Sequence, residues 1–313
     1  MHLAEILERH AQQPAESVPD WMLGYFKRRS ISFANGQSDI DTHVCWLQSR
    51  NFTIDLRLPL ERDQVAAKPL AQCSAAELQV LANYEGWAAP CSWQGDTLRW
   101  HGGTSLQLNN RWPEPAQLKR IGDCMIEFAP SGAYVEDWRL QASEPGPLIG
   151  LRLLEERAVQ GGALRHQGGG LIVCGEHAAM VLGRSQAFEG GGLPLRDWAA
   201  RYQADPSLLA TLFNFETSVA KGSLDAGFSI TLSTRAERLH QPLLPLDGFQ
   251  WLGDGRHLLQ TLRVDGVLCQ RTYAIDTLER QVGFAQATAL TPEAASWFVQ
   301  ESPSLARYTK KLD

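Results

Sequence analysis

The sequence lacks several features that define common functional classes, beginning with an excess of basic charge. Across 313 residues, 29 Lys and Arg oppose 35 Asp and Glu, and the formal net charge is −6. An acidic balance with scattered basic residues argues against a phosphate-binding surface. The one compact basic cluster, Lys27-Arg28-Arg29, is interpreted as a solvated loop. We therefore predict no nucleic-acid partner.

Long apolar runs are also missing. Nowhere do about 18 consecutive apolar residues occur, the length that a membrane-spanning helix needs. The stretch from Met1 to Ser17 contains no continuous apolar segment that a secretory signal could use. It predicts instead a short amphipathic helix with Leu3, Ile6 and Leu7 on one side. We predict no membrane association and expect a cytoplasmic protein.

Metal-binding, cofactor and catalytic motifs are missing as well. The six cysteines lie at least 18 positions apart, so there is no C-x-x-C pair, and we interpret them as small core residues. The histidines form no H-x-H or H-E-x-x-H, and His101, beside Gly102-Gly103, is the one that most merits inspection. The glycine runs do not match a phosphate-binding loop, and no Ser lies in a G-x-S-x-G elbow. We predict no metal and no cofactor, and an enzyme has no positive support.

The sequence does have ten tryptophans and many short segments with the pattern of β-strands. One predicted hairpin runs from Val44 to Gln48 and returns from Phe52 to Pro59. In the returning arm, apolar residues alternate with Thr53, Asp55 and Arg57, which we expect to face water. A second hairpin runs from Gly122 to Phe128 and returns from Ala133 to Gln141. Between them, Ser74-Ala75-Ala76-Glu77 is the pattern of a capping box that opens a short helix.

Strand patterns resume after about residue 146 and are interrupted by two short helical segments near 195–202 and 206–212. Asp265-Gly266 predicts a hairpin turn, and a further strand is predicted at Gln281 to Thr288. A last capped helix is predicted from Thr291 to about Gln300. A hairpin succession without a β-α-β rhythm favours antiparallel sheets closed into barrels. We therefore predict a mainly β protein with two antiparallel barrels in tandem and a few short helices, over residues 1–155 and 156–313.

The hairpin from Val44 to Pro59, with Trp46-Leu47-Gln48 and Ile54-Asp55-Leu56-Arg57, and the segment from Ser131 to Trp138 resemble elements of lipocalin-like (calycin) barrels. In particular they are similar to the fungal Hri-type family, which has two lipocalin-like domains in tandem. The resemblance covers about a third of the chain, and the G-x-W of lipocalins is not matched, since Gly86-Trp87 is adjacent and lies further on. It implies two lipocalin-like barrels with a cavity for a small apolar or aromatic ligand.

Polar residues on otherwise apolar strand faces mark the candidate site. Tyr134, Glu136 and Trp138 share one face of a strand, which places a carboxylate between two aromatic rings. Arg271 and Tyr273 share a face in the second half. A buried charge needs a partner or a ligand of opposite charge, although a strand edge could also bring it to solvent. We predict that these five residues are ligand-binding.

The sequence leads to one leading hypothesis and two alternatives. The leading hypothesis is a non-enzymatic protein that binds a small hydrophobic or aromatic molecule in a barrel cavity. The first alternative is a protein–protein interaction module or homodimer that uses exposed aromatic residues. The second is a barrel-type isomerase or hydrolase, built from side chains that are distant in sequence.

Overall fold

The protein is described by a computed structural model in residues 1–188 and 192–284, together with residues 296, 299 and 300. Within residues 1–188 and 192–284 the α-helices are α1 (Leu3–His10), α2 (Ala75–Leu81), α3 (Leu195–Arg201) and α4 (Pro206–Leu212). Single 3-10 turns occur at Asp20–Met22, Glu61–Asp63, Leu70–Gln72 and Ala236–Arg238. The helix predicted from 291 to 300 lies largely outside the described residues.

The strands fall into two antiparallel sheets, one from each half of the chain. The first sheet contains β1 (Gly24–Phe33), β2 (Ser38–Asp39), β3 (His43–Gln48), β4 (Phe52–Leu58), β5 (Glu85–Gln94), β6 (Thr97–Trp100), β7 (Thr104–Ser105), β8 (Ala116–Ile121), β9 (Cys124–Phe128) and β10 (Tyr134–Leu140). The second contains β11 (Gly146–Ala158), β12 (Leu164–Gln167), β13 (Gly169–Cys174), β14 (His177–Leu182), β15 (Glu216–Ser223), β16 (Gly227–Ser233), β17 (Phe249–Trp251), β18 (His257–Val264) and β19 (Val267–Val282).

The first sheet is a closed barrel. Its strands follow the chain in the order β1-β3-β4-β5-β6-β8-β9-β10, and β10 pairs back onto β1 from Phe26↔Leu140 to Phe33↔Tyr134. These eight strands leave an enclosed interior, as expected for a barrel of this size. The predicted hairpins at 44–59 and 122–141 are confirmed as β3–β4 and β9–β10.

The second sheet is open, so only one of the two expected barrels is seen. Its order is β16-β15-β14-β13-β11-β19-β18-β17, and within the described residues the end strands β16 and β17 do not pair with each other. β11, which spans the domain boundary expected at 155, pairs only within this sheet. The turn between β18 and β19 carries Asp265 and Gly266 with φ of 52° and 80°, which fits the predicted type I′ hairpin. Gln281 and Val282 continue β19, so the strand predicted from Gln281 to Thr288 does not begin as a separate element, and residues 285–288 lie outside the described residues.

Helix α1 packs against the second sheet. Its apolar side, Leu3, Ile6 and Leu7, is buried as predicted, in a core with Ile149 and Leu278 among others. The backbone N–H of Leu3 donates to the carbonyl of Leu246 at 2.7 Å. The first residues of the chain therefore complete the core of the sheet that the last described strand belongs to.

The outer wall of the barrel packs on the opposite face of the second sheet. Phe52, Ile54 and Leu56 of β4 share one apolar core with Ile172 and Val181 of β13 and β14. Every residue of β4 is buried, because one of its faces meets this core and the other faces the barrel interior. The expectation that Thr53, Asp55 and Arg57 face water is therefore wrong.

Strand β1 corrects a second expectation. Lys27-Arg28-Arg29 lies within β1 and is not a loop, and the Arg28 side chain is only 4% exposed. A bulge between Arg28 and Ser30 shifts the register of the β1–β10 pair. The bulge interrupts the alternation by which a strand is recognised in a sequence.

Candidate functional site

A cavity of about 570 Å³ lies in the closed barrel and is lined by strands β3 to β6, β9 and β10 and by the segment 101–115. Its aromatic lining comes from widely separated parts of the first half: Trp46, Trp87, Trp100, Trp112, Tyr134 and Trp138. The volume falls in the range of small-molecule sites.

The indole rings in the lining contact one another in a chain. Trp138 meets Trp46 edge to face with ring centroids 5.1 Å apart, and Trp46 lies 5.7 Å from Trp100. Trp87 in turn meets Trp100 edge to face at 5.5 Å. Edge-to-face pairs fix ring orientation, so these four residues form a preformed aromatic wall.

Two carboxyl groups lie side by side on the inner face of the β9–β10 pair. Glu127 and Glu136 are direct cross-strand partners, and both are at most 4% exposed. Glu127 accepts hydrogen bonds from Nε1 of Trp138 at 2.9 Å and from the hydroxyl of Tyr134 at 3.3 Å. Burial, together with the nearby charge of Glu136, raises the pKa of Glu127 well above its usual range. Glu127 therefore favours the neutral acid form.

The charge of Glu136 is matched by arginines. Oε1 of Glu136 accepts a hydrogen bond from Arg28 Nη1 at 2.8 Å and lies 3.7 Å from Arg57 Nη1. Arg57 is anchored by Asp55, through Nε at 2.9 Å and Nη2 at 3.3 Å. Burial raises the pKa of Asp55 to about 6, although Arg57 opposes the shift. The guanidinium groups of Arg28 and Arg57 and the carboxyl groups of Glu136 and Asp55 thus form one buried network at the cavity wall.

Of the five residues predicted to bind ligand, three come together at the barrel interior and two lie elsewhere. Tyr134 and Trp138 line the cavity, and Glu136 lies beside it on the same strand face. Arg271 and Tyr273 are in β19 of the second sheet, where Arg271 Nε donates to Glu156 Oε2 at 2.6 Å and the Tyr273 hydroxyl donates to Gln260 at 3.4 Å. Glu156 supplies the opposite charge that the sequence argument required from either a partner or a ligand.

Sequence reasoning missed Asp55, Arg57 and Glu127 as parts of the site. Glu127 could have been found from the predicted hairpin, because its register places Glu127 directly opposite Glu136. Asp55 and Arg57 could have been found by treating the alternating strand as a barrel wall with a polar inner face.

Of the other residues singled out from the sequence, the cysteines are mostly buried and His101 belongs to the cavity lining. Among the described residues the six cysteines are free, and all except Cys73 are buried. Nε2 of His101 lies 2.6 Å from the hydroxyl of Ser92, and both residues are exposed. A second cavity, of about 530 Å³, lies between the 65–81 segment and residues 210–237. In the described part of the chain, no cluster of His, Cys, Asp and Glu could hold a metal ion.

The fold and the site define a mainly β protein with one closed eight-stranded antiparallel barrel and a polar, tryptophan-lined cavity. Comparison of the chain with family models, curated proteins and solved structures found no match. Within the described ranges, none of the helices has both the length and the apolar character that crossing a membrane would require.

Proposed function

We propose that the closed barrel binds a small aromatic or largely apolar molecule in its interior, without catalysing a reaction on it. The observation that carries the proposal is the wall formed by Trp46, Trp87, Trp100 and Trp138 around a cavity of about 570 Å³. Indole faces and edges offer a large contact area at low conformational cost, which suits a planar apolar ligand. Eight antiparallel strands in chain order also support a lipocalin-like classification of this half, which we include in the proposal.

The first test measures binding of N-phenyl-1-naphthylamine, a neutral aromatic probe whose fluorescence rises in apolar surroundings. We expect saturable binding to the full chain with one probe per protein. Native mass spectrometry of protein purified from its source should show a retained small molecule. If neither the probe nor a retained molecule is detected, the proposal is wrong.

A cavity-filling variant locates the probe. Ala89 is 3% exposed and lines the cavity, so Ala89→Leu places extra side-chain volume beside the wall. We expect at least a tenfold loss of probe affinity, whereas Ala226→Leu, in the exposed turn between β15 and β16, should leave affinity unchanged. Thermal unfolding of both variants checks that the fold is retained. Equal probe affinity in a folded Ala89→Leu variant would place the binding site outside the barrel.

A further inference from the structure

The lining of the barrel cavity has more carboxyl groups than guanidinium groups. Four acidic residues and three arginines belong to it: Asp55, Glu85, Glu114 and Glu127, and Arg57, Arg99 and Arg111. Two of the carboxylates are paired within this set, Asp55 with Arg57 at 2.9 Å and Glu85 with Arg111 at 2.7 Å. With His101 neutral and every carboxyl group ionised, the lining is one positive charge short of balance.

Glu127 is the buried carboxyl group of this lining that has no cation of its own. Its oxygens accept hydrogen bonds from Nε1 of Trp138 at 2.9 Å and from the hydroxyl of Tyr134 at 3.3 Å, and both donors are neutral. Arg57 acts on Glu127 electrostatically but is already paired with Asp55. Each carboxyl oxygen of Glu127 has a second lone pair, so a further partner can be accommodated.

The cavity side of the paired carboxyl groups is Glu127 and not Glu136. Glu127 is part of the lining and 4% exposed, whereas Glu136 is 1% exposed, lies outside the lining and is paired with Arg28 at 2.8 Å. Burial and the charge of Glu136 raise the pKa of Glu127, as expected for a carboxyl group whose positive partner is missing from the free protein. A cation in the cavity would supply that partner.

The aromatic rings of the lining form right-angled corners. Trp87 and Trp100 are half-buried, with ring centroids 5.5 Å apart and ring planes at 86°. Trp112 and Tyr134 meet in the same way, at 5.5 Å and 83°. The electron-rich face of an indole ring attracts cations, and the wall already contains one such contact, because the guanidinium carbon of Arg57 lies 4.5 Å from the ring centroid of Trp112. A cationic ligand would meet the same kind of surface.

We propose that the barrel binds an aromatic cation, with the carboxylate of Glu127 as its counter-ion and the tryptophans of the wall around its ring. The inference rests on the proposed binding function and assigns the charge of the ligand. A neutral ring gains only the aromatic contacts, and an anion meets a lining in which carboxyl groups are in excess. A cation supplies the charge that the buried carboxyl group lacks.

The first test compares three probes on the full chain by isothermal titration calorimetry, at pH 8 and at about 0.15 M salt, which screens the negative charge of the protein surface. N-methylquinolinium and 1-methylnaphthalene have the same outline and differ in the positive charge, while 1-naphthoate is an anion. We expect the cation to bind about tenfold more tightly than 1-methylnaphthalene, with naphthoate the weakest. Apolar burial alone predicts the opposite order for the matched pair, because a charged ring is costly to desolvate. Binding of 1-methylnaphthalene as tightly as the cation would overturn this inference.

A variant assigns the counter-ion. Glu127→Gln keeps the shape of the side chain and an acceptor oxygen but removes the charge, so we expect about a tenfold loss of affinity for N-methylquinolinium and less than about a twofold change for 1-methylnaphthalene. Glu61→Gln removes the same charge from an exposed residue outside the lining, and it should change neither affinity. Equal effects of the two variants on the cation would mean general attraction to an acidic protein and would overturn the assignment to Glu127.

Competition locates the cation. We expect N-methylquinolinium to displace N-phenyl-1-naphthylamine from the full chain, and binding without displacement would place the cation outside the barrel and overturn the inference. If Glu127→Gln does not fold, the matched pair of probes and the displacement on the unaltered protein still decide. Binding of N-phenyl-1-naphthylamine without a preference for the cation contradicts only this inference, whereas failure of every probe to bind contradicts the proposed function as well.

Discussion

Glu127 and Glu136 are direct partners in the antiparallel pair of β9 and β10, so two buried carboxyl groups share one patch of the barrel interior. Like charges at such a position are unfavourable, and only Glu136 has an arginine, Arg28, within hydrogen-bond distance. Glu127 instead receives hydrogen bonds from the neutral donors of Trp138 and Tyr134. The two carboxyl groups therefore differ in their partners: Glu136 is paired with an arginine, whereas Glu127 has neutral donors and a raised pKa.

Replacing Glu127 by Gln should make stability less sensitive to pH. Burial and the charge of Glu136 raise the folded-state pKa of Glu127, so the folded protein holds this proton more tightly than the unfolded chain does. The resulting gain in the free energy of unfolding is fully present below the unfolded-state pKa near 4.5, and it is lost as pH rises towards the folded-state pKa. The wild type should thus lose up to about 1.4 kcal/mol of unfolding free energy per pH unit above that point, relative to Glu127→Gln. Urea unfolding at pH 5, 6, 7 and 8 measures the difference. The exposed Glu61→Gln is the control, and a difference that stays constant with pH would contradict the assignment.

Two neighbouring threonines should respond in opposite ways to the same substitution. The hydroxyl of Thr217 is buried without a hydrogen-bond partner among the described residues, whereas Oγ1 of Thr234 accepts from the backbone N–H of Thr217 at 2.9 Å. Thr217→Val removes an unpaired polar atom and should be neutral or stabilising by about 1 kcal/mol, while Thr234→Val should cost about 1–3 kcal/mol. Chemical denaturation of both variants gives the values. A larger loss for Thr217→Val than for Thr234→Val would show that the Thr217 hydroxyl has a partner after all.

Arg271 should contribute to stability and not to ligand binding. It is 3% exposed and paired with Glu156, which is fully buried and also accepts a 3.0 Å hydrogen bond from Arg165. Arg271→Met should cost about 3–5 kcal/mol, and the double variant Glu156→Met with Arg271→Met should recover part of that loss, because both fully buried charges are removed and Arg165, which loses Glu156, is partly exposed. Probe affinity in the barrel should stay within twofold in any folded variant. A selective loss of probe binding would return Arg271 to the ligand site.

Local patterns predicted the strands and helices better than they predicted what each face meets. The hairpins, the capping box at Ser74 and Glu77, and the turn at Asp265-Gly266 depend on neighbouring residues, and each is found in the structure. The alternation in β4 separates two faces, but it does not say that one faces a cavity and the other a second sheet. That distinction depends on contacts between residues more than 100 positions apart, such as Phe52 with Gly170.

The same limit applies to the candidate site. Glu136 and Trp138 were found because they share a strand face, which is a local property. The partner of Arg271 is Glu156, which lies opposite it only once the register of β11 and β19 is known. A buried charge in a sequence therefore indicates that some partner exists, and the topology decides whether that partner is a side chain or a ligand.

The barrel should not fold when it is separated from the second sheet. The turn between β3 and β4 docks on β19, where Arg50 makes a bidentate ion pair with Glu279 at 2.8 Å and Ser49 donates to Asp276 at 2.6 Å. A fragment of residues 1–142 would expose the apolar face of β4 and the buried side of α1, whose partners lie in the second sheet. We expect this fragment to lack a near-ultraviolet circular dichroism signal.

The full chain should correspondingly unfold in one transition. Tryptophan fluorescence follows the unfolding of the barrel, and far-ultraviolet circular dichroism follows the unfolding of the whole backbone. The two unfolding curves should coincide if the sheets share one cooperative core. Arg50→Met leaves Glu279 buried without its cation, so the free energy of unfolding should fall by about 3–5 kcal/mol. Both curves should shift to the same lower midpoint and remain coincident. Two separated transitions, or a fragment of residues 1–142 with native-like circular dichroism, would mean that the buried interface joins two domains that fold independently.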